Sequence, residues 1–331
     1  MDLDAYVAEH AGEWRRLDEL LSRRRITGAE SDELIALYQR AATHLSAVQS
    51  RAPDPALIGR LSRLVARARA AVTGGGAPSW VGIARFFTVG FPVAVYRAWP
   101  WWCGVATTFS LVSFGLIGWF GSRPDLAAQL ASQSTIQQLV EHDFADYYSA
   151  SPAHDFAAEV WTNNALLTGL CLFAGVLILP VIYVLLQNAV NVGVIGGVMV
   201  AYGRGDIFFG LIIPHGLLEL TAVYVAAGAG LRIGWSWIAP GRGRTRSQAL
   251  AEASRAAGLI AMGLVLVLAI SGVIEAFVTP SGLPTWARIA IGVAAFAGFL
   301  AYVVVLGGRA ARAGETGDLA LGEREDLAPA V

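Results

Sequence analysis

Residues 207–235 read IFFGLIIPHGLLELTAVYVAAGAGLRIGW, an apolar run that carries His215, Glu219 and Arg232. It is long enough to cross a bilayer. His215 and Glu219 stand one helical turn apart, so both project from one face. Placing an ionisable side chain at the bilayer centre costs roughly 2.5–3.5 kcal/mol. The pair therefore needs protein partners, water or a task. Ala222, Ala226 and Gly230 continue the same face with small side chains that let a second helix approach closely. The expectation is interhelical hydrogen bonding by His215 and Glu219; proton relay, an ion pathway or partner recognition is the functional alternative. Two ligands one turn apart do not complete a metal site, so no metal is expected.

The surrounding composition agrees with a membrane location. Of 331 residues, 55% are hydrophobic and 15% charged, against about 25% charged in soluble domains. Mean hydropathy is +0.55. The net charge is −1 and all 24 basic residues are arginine. No basic patch is interleaved with aromatics, which argues against nucleic acid. Cys103 and Cys171 lie in apolar segments without metal-ligand spacing. The N-terminus shows no cleavable signal peptide, so the first span is expected to act as the insertion signal.

Residues 1–76 are more polar and keep a helical period through Leu3, Tyr6, Val7, His10, Trp14, Leu17 and Leu21. Thr27 to Glu30 reads as a capping box, and Asp54-Pro55 as a further helix start. The segment is expected to fold as a cytosolic helical bundle. Residues 79–98 carry Trp80, Ile83, Phe86, Phe87 and Phe91 beside Arg85 and Arg97, the pattern of an interfacial amphipathic helix. Trp99, Trp101 and Trp102 mark a membrane boundary.

Residues 101–308 are expected to form the transmembrane domain. The spans are Trp101–Gly121, two within 162–203 divided near Leu185–Asn188, Ile207–Trp235, Ala257–Val278 and Trp286–Leu306. Pro180 is a candidate kink. Residues 122–160 are acidic, with Asp143, Phe144, Asp146, Tyr147 and Tyr148 close together. They form an extracytoplasmic segment and a candidate partner surface. The tail 309–331 is expected to be flexible. Arginines at 85 and 97, at 242 to 255, and at 309 and 312 all fall inside only if the number of crossings is even. Six crossings put both termini in the cytoplasm of a bacterial inner-membrane protein.

Further intramembrane polar residues complete the candidate set. Glu275 lies within about 6 Å of the outer end of its span, and His215 about 12 Å into its own, at 1.5 Å per residue. A cluster of His215, Glu219 and Glu275 follows if the two spans are neighbours. Arg232 is expected to reach the inner interface or to bond Asn188 and Asn191. Gly193, Gly196 and Gly197 lack the strand-then-helix context of a phosphate loop, so they are read as close helix packing. Ser271-Gly272 with His215 is a remote serine–histidine alternative. No catalytic residue and no cofactor are expected.

Pro214-His215-Gly216-Leu217-Leu218-Glu219-Leu220, followed by Ala226-Ala227-Gly228-Ala229-Gly230-Leu231-Arg232-Ile233-Gly234, resembles the signature of the stage II sporulation protein M family. Trp161-Thr162-Asn163-Asn164 is similar to that family's entry into a membrane helix. Gln187-Asn188-Ala189 departs from the Asn-Gly often found there, which puts a tight turn at that point in doubt. The Trp14…Leu17…Leu20-Leu21 and Leu37-Tyr38 pattern resembles the family's cytosolic region. The resemblance implies an all-α polytopic membrane fold. It also implies a scaffold role, since founding members act in an envelope complex with a peptidoglycan-degrading enzyme. Many relatives occur in bacteria that never engulf a forespore, so the sporulation step is not implied.

The function expected from these features is a non-enzymatic membrane scaffold or assembly factor of an envelope-remodelling complex. Its partners are the lipid bilayer and proteins docked through 1–76 and 122–160; a homo-oligomer is compatible with the same chain. The alternative is a transporter or channel, proton-coupled through His215, Glu219 and Glu275.

Overall fold

The computed structural model describes residues 3–23, 26–51, 54–72, 80–130, 132–138, 140 and 153–318. Its regular elements among the described residues are all helical, and the chain divides into two compact units, Met1–Ile83 and Ala84–Val331.

The first unit is built from α1 (Leu3–Ser22), α2 (Gly28–Arg51) and α3 (Pro55–Val72). Its helices start where the sequence supplies caps. Thr27 and Glu30 exchange hydrogen bonds at the head of α2, and Asp54 accepts from the Leu57 N–H at 2.7 Å at the head of α3. Apolar stripes at helical spacing then meet. Trp14, Leu17, Leu20, Leu34, Leu37, Ala41, Val48, Leu61, Leu64 and Ala68 form one buried core. Around it, Arg16 grips Glu33 through two hydrogen bonds of 2.9 and 2.8 Å, and Arg67 pairs with Asp18 at 2.6 Å.

Next along the chain come α4 (Trp80–Arg85) and, in the second unit, a π turn (Phe86–Gly90) and α5 (Phe91–Arg97). Here the interfacial reading needs correction. Trp80 and Val81 are exposed, but Phe91, Pro92, Val93, Ala94 and Val95 are buried. The run 91–95 is apolar all round, so it is covered on every side instead of lying at a surface. A Cβ on Gly263 would sit 2.2 Å from the Phe91 ring.

Among the described residues, the second unit has five helices long and apolar enough to cross a membrane. They are α6 (Trp99–Gly121), α10 (Leu179–Ala201), α11 (Gly205–Ile238), α12 (Arg246–Val273, continued by a π turn Ile274–Val278) and α13 (Thr285–Tyr302, continued through Val303–Gly307 into α14, Gly308–Arg312). Between α6 and α10 come α7 (Pro124–Leu130), α8 (Gln133–Gln138) and α9 (Ala153–Phe173). The apolar part of α9 and the 3-10 turn after it, Trp161–Leu177, is shorter than the other five. Over its 34 residues α11 is about 51 Å long, well beyond a hydrocarbon core of roughly 30 Å. Leu111, Phe114, Phe173, Leu179 and Tyr183 are exposed, as expected for lipid-facing positions.

The division of 162–203 falls about eight residues before the position expected from sequence. The chain breaks at Ile178, whose φ of 60° ends the preceding 3-10 turn, and Pro180 lies in the first turn of α10. Proline has no N–H to donate and suits that first turn. Asn188 lies inside α10, where its amide donates to the Val184 carbonyl of the same helix at 2.8 Å.

α11 is the centre of the second unit and packs against α6, α9, α10, α12 and α13. The contacts are close because the helices meet through small residues. A Cβ on Gly230 would fall 2.0 Å from the Cys171 carbonyl oxygen, and one on Gly292 would fall 2.2 Å from that of Pro214. Ala222 and Ala226 have no exposed surface. Gly193, Gly196 and Gly197 abut Leu116, Phe208 and Phe120.

The tail is anchored at its start, against expectation. Arg255 forms an ion pair with Asp318. Arg85 meets the Glu315 carboxylate at 2.7 Å, and Arg97 donates to the Glu315 carbonyl at 2.9 Å. Opposite charges hold the stretch that composition alone marked as mobile. The same contacts bring the arginines before the first span and after α11 to one end of the unit. Residues 319–331 lie outside the described residues, as does the Asp143–Tyr148 partner surface.

Candidate functional site

Pro214 sits inside α11 and leaves the Gly210 carbonyl without its usual helical donor. His215 follows it and is 5% exposed. Glu275, 4% exposed, comes from the π turn that ends α12. The His215 Nε2 and Glu275 Oε1 atoms are 3.6 Å apart. Ligand-capable atoms of His215, Glu219 and Glu275 all lie within 4.8 Å of one another.

Side chains from three helices surround this group. His215 Nδ1 is 3.3 Å from the Thr279 hydroxyl. Ser271 donates to the His215 carbonyl at 3.1 Å, and Ser271 and Asn164 are both hydrogen-bonded to the Glu219 carboxyl. Ser271 thus spends its one proton on the His215 backbone and not on the imidazole, which gives no support to a serine–histidine dyad. One carboxylate oxygen, Glu275 Oε2, is buried with no hydrogen-bond partner among the described residues. Ser271, Glu275 and Thr279 recur every fourth residue in the fifth span. That periodic polar stripe was the sequence signal for the two hydroxyls.

A model of the stage II sporulation protein M family matches residues 105–280, and a domain of unknown function (DUF8413) matches residues 4–74. The chain belongs to the stage II sporulation protein M family. No curated protein and no solved structure matches it. The family match takes in His215, Glu219 and Glu275 and ends just after Thr279. The match lies within the second unit.

Elsewhere in the second unit, an apolar cavity of about 670 Å³ is lined by Trp102, Phe109, Phe208, Leu217, Tyr224 and Phe296 among others. At the Arg232 end, a smaller polar cavity of about 170 Å³ joins Arg232 to Arg244 and Glu252. Arg232 thus sits among charged groups of the α11–α12 connection. Asn191 is exposed, and Asn188 is spent on its own helix.

A second titratable group lies in the first unit and was not singled out from sequence. The His10 and His44 rings stack with centroids 4.0 Å apart, and Glu13 lies beside them. Trp14 Nε1–H donates to His44 Nδ1 at 3.2 Å, so the neutral ring carries its proton on Nε2. Burial, with the neighbouring His10, holds the His44 pKa below its usual value. Hydrogen bonds from Thr27 hold Glu30, and from Arg16 hold Glu33, below the usual carboxylate range. His10 was legible only as one position of an apolar stripe, because His44 is brought to it by tertiary packing.

Proposed function

We propose that this membrane protein is a non-enzymatic scaffold or assembly factor of a bacterial envelope-remodelling complex. The first unit is the docking module for a cytosolic partner, and the 122–160 segment the one for an extracytoplasmic partner. What supports the reading most is how the ionisable group of α11 is enclosed. His215 and Glu275 are buried against helices that meet backbone to backbone, as at Gly292 on Pro214. A conduction path needs a polar, wetted route. A fixed crossing of helices needs small residues that let the backbones meet. Membership of the stage II sporulation protein M family supports an envelope role as well.

The same reading places the protein in the inner membrane with both ends cytoplasmic. Arg85, Arg97 and Arg255 share one end of the membrane unit through Glu315 and Asp318. A chain that enters and leaves at one end crosses an even number of times, so Trp161–Leu177 is the sixth crossing. Its 17 residues are at the lower limit for a span.

Reconstitution in liposomes tests the proposal against transport. Proton and solute flux should stay at the level of protein-free vesicles, for wild type and Glu219→Gln alike. Flux present in wild type and abolished by Glu219→Gln would replace the scaffold with a transporter.

A further inference from the structure

The geometry points to a divalent transition-metal site within the membrane unit, with His215, Glu219 and Glu275 as its protein ligands. Sequence spacing supplied two ligands from one helix; the π turn Ile274–Val278 supplies the third from another. Such turns add a residue to a helix and occur often at functional sites. The three side chains offer one imidazole and two carboxylates, with ligand atoms all within 4.8 Å. Tetrahedral bonds of about 2.0–2.2 Å place ligand atoms roughly 3.3–3.5 Å apart. The His215–Glu275 separation of 3.6 Å is already close to that. Carboxylate rotations of about an ångström close the rest.

Three features separate this group from ordinary interhelical hydrogen bonding. Glu275 Oε2 is buried and has no hydrogen-bond partner among the described residues, so the carboxylate keeps an unused acceptor while its other oxygen lies 3.6 Å from His215 Nε2. The Thr279 hydroxyl donates to the Ile274 carbonyl at 3.5 Å, which leaves its oxygen to accept from His215 Nδ1–H. The neutral ring then carries its lone pair at Nε2, on the Glu275 side. Fixing a ligating histidine through its other nitrogen is the usual outer-shell arrangement at metal sites, and Asn164, whose amide can donate, holds Glu219 in the same way. A dication also neutralises two carboxylates that are otherwise costly to keep charged in a bilayer. One imidazole with carboxylates suits Zn²⁺, Mn²⁺, Fe²⁺ or Co²⁺; Mg²⁺ retains its waters and fits a buried site poorly.

The inference goes beyond the scaffold reading and does not depend on it, because metal binding is measured without flux or partner. The test uses the full chain, purified in detergent, stripped by a chelator and titrated with Co²⁺. One Co²⁺ should bind per chain with visible absorption bands, and Zn²⁺ should displace it. The His10→Ala/His44→Ala double variant should bind equally well, which separates this site from the histidine pair of the first unit. Glu275→Gln should weaken binding by roughly 100-fold or more, and Thr279→Val by about 10-fold. X-ray absorption on the wild-type Co²⁺ complex should show one imidazole and carboxylate oxygens, a reading that stands even if Glu275→Gln does not fold. Failure of the folded wild type to bind Co²⁺ would overturn the site. So would loss of binding in the double variant, or two imidazoles on the metal.

Discussion

At the scale of single residues, burial decides which charges matter. Glu30 and Glu33 lie below their usual range, so the stability they add is present above about pH 4.5 and is lost as pH falls toward their folded values. For His44 the folded pKa is also lowered, from 6.5. Below 6.5 the unfolded chain binds more protons than the folded one, so stability again falls on acidification. Amide exchange across α1 and α2, corrected for intrinsic rates, should therefore show protection decreasing from pH 7.5 to 5.5. Protection that rises over that window would contradict the sign. Gly292 offers a second residue-scale test. A methyl there would meet backbone at 2.2 Å, so Gly292→Ala should destabilise the membrane unit by about 1–3 kcal/mol. A detergent-unfolding titration measures it; an unchanged midpoint would mean that α13 is not seated on Pro214.

Among elements, periodicity and punctuation explain what was legible. The stripe Leu34, Leu37, Ala41 and Val48 is visible in the sequence and is buried in the bundle. The caps at Thr27 and Asp54 are visible too, because each is a contact within four residues. Less local features were not. Pro180 reads as a kink in the sequence, yet the break lies at Ile178, where a β-branched residue adopts a conformation that composition gives no reason to expect. Residues 79–98 read as interfacial because Trp80, Ile83, Phe86, Phe87 and Phe91 accompany Arg85 and Arg97; the burial of Phe91–Val95 depends on α12 and the π turn after α13. His215 and Glu219 share a face by spacing alone, whereas the position of Glu275 beside them depends on which helices are neighbours. The bundle also allows an element-scale prediction. Leu17 has no exposed surface, so Leu17→Ala should cost the first unit about 2–5 kcal/mol. Proteolysis should then cut within residues 3–72 while the membrane unit remains intact. Simultaneous loss of both units would contradict their independence of core.

For the whole molecule, charge and hydrophobicity together set the course of the chain. Five long apolar helices and the shorter Trp161–Leu177 segment lie between two charged ends. Glu315 and Asp318 tie the C-terminal end to Arg85, Arg97 and Arg255. Exposed tryptophans occur near both ends of the spans, with Trp99 and Trp235 at one and Trp119 and Trp286 at the other. That is the distribution of side chains which favour the two interfaces of a bilayer. Everything proposed for the docking modules and the buried ionisable group rests on this threading. Single-cysteine labelling on intact cells tests it, in a chain carrying Cys103→Ala and Cys171→Ala. With six crossings, a membrane-impermeant maleimide labels Ser122→Cys and Gly282→Cys directly, and Ser247→Cys and Ala313→Cys only after permeabilisation. Labelling of Ser247→Cys from outside, or of Ser247→Cys and Ala313→Cys from opposite sides, would contradict it.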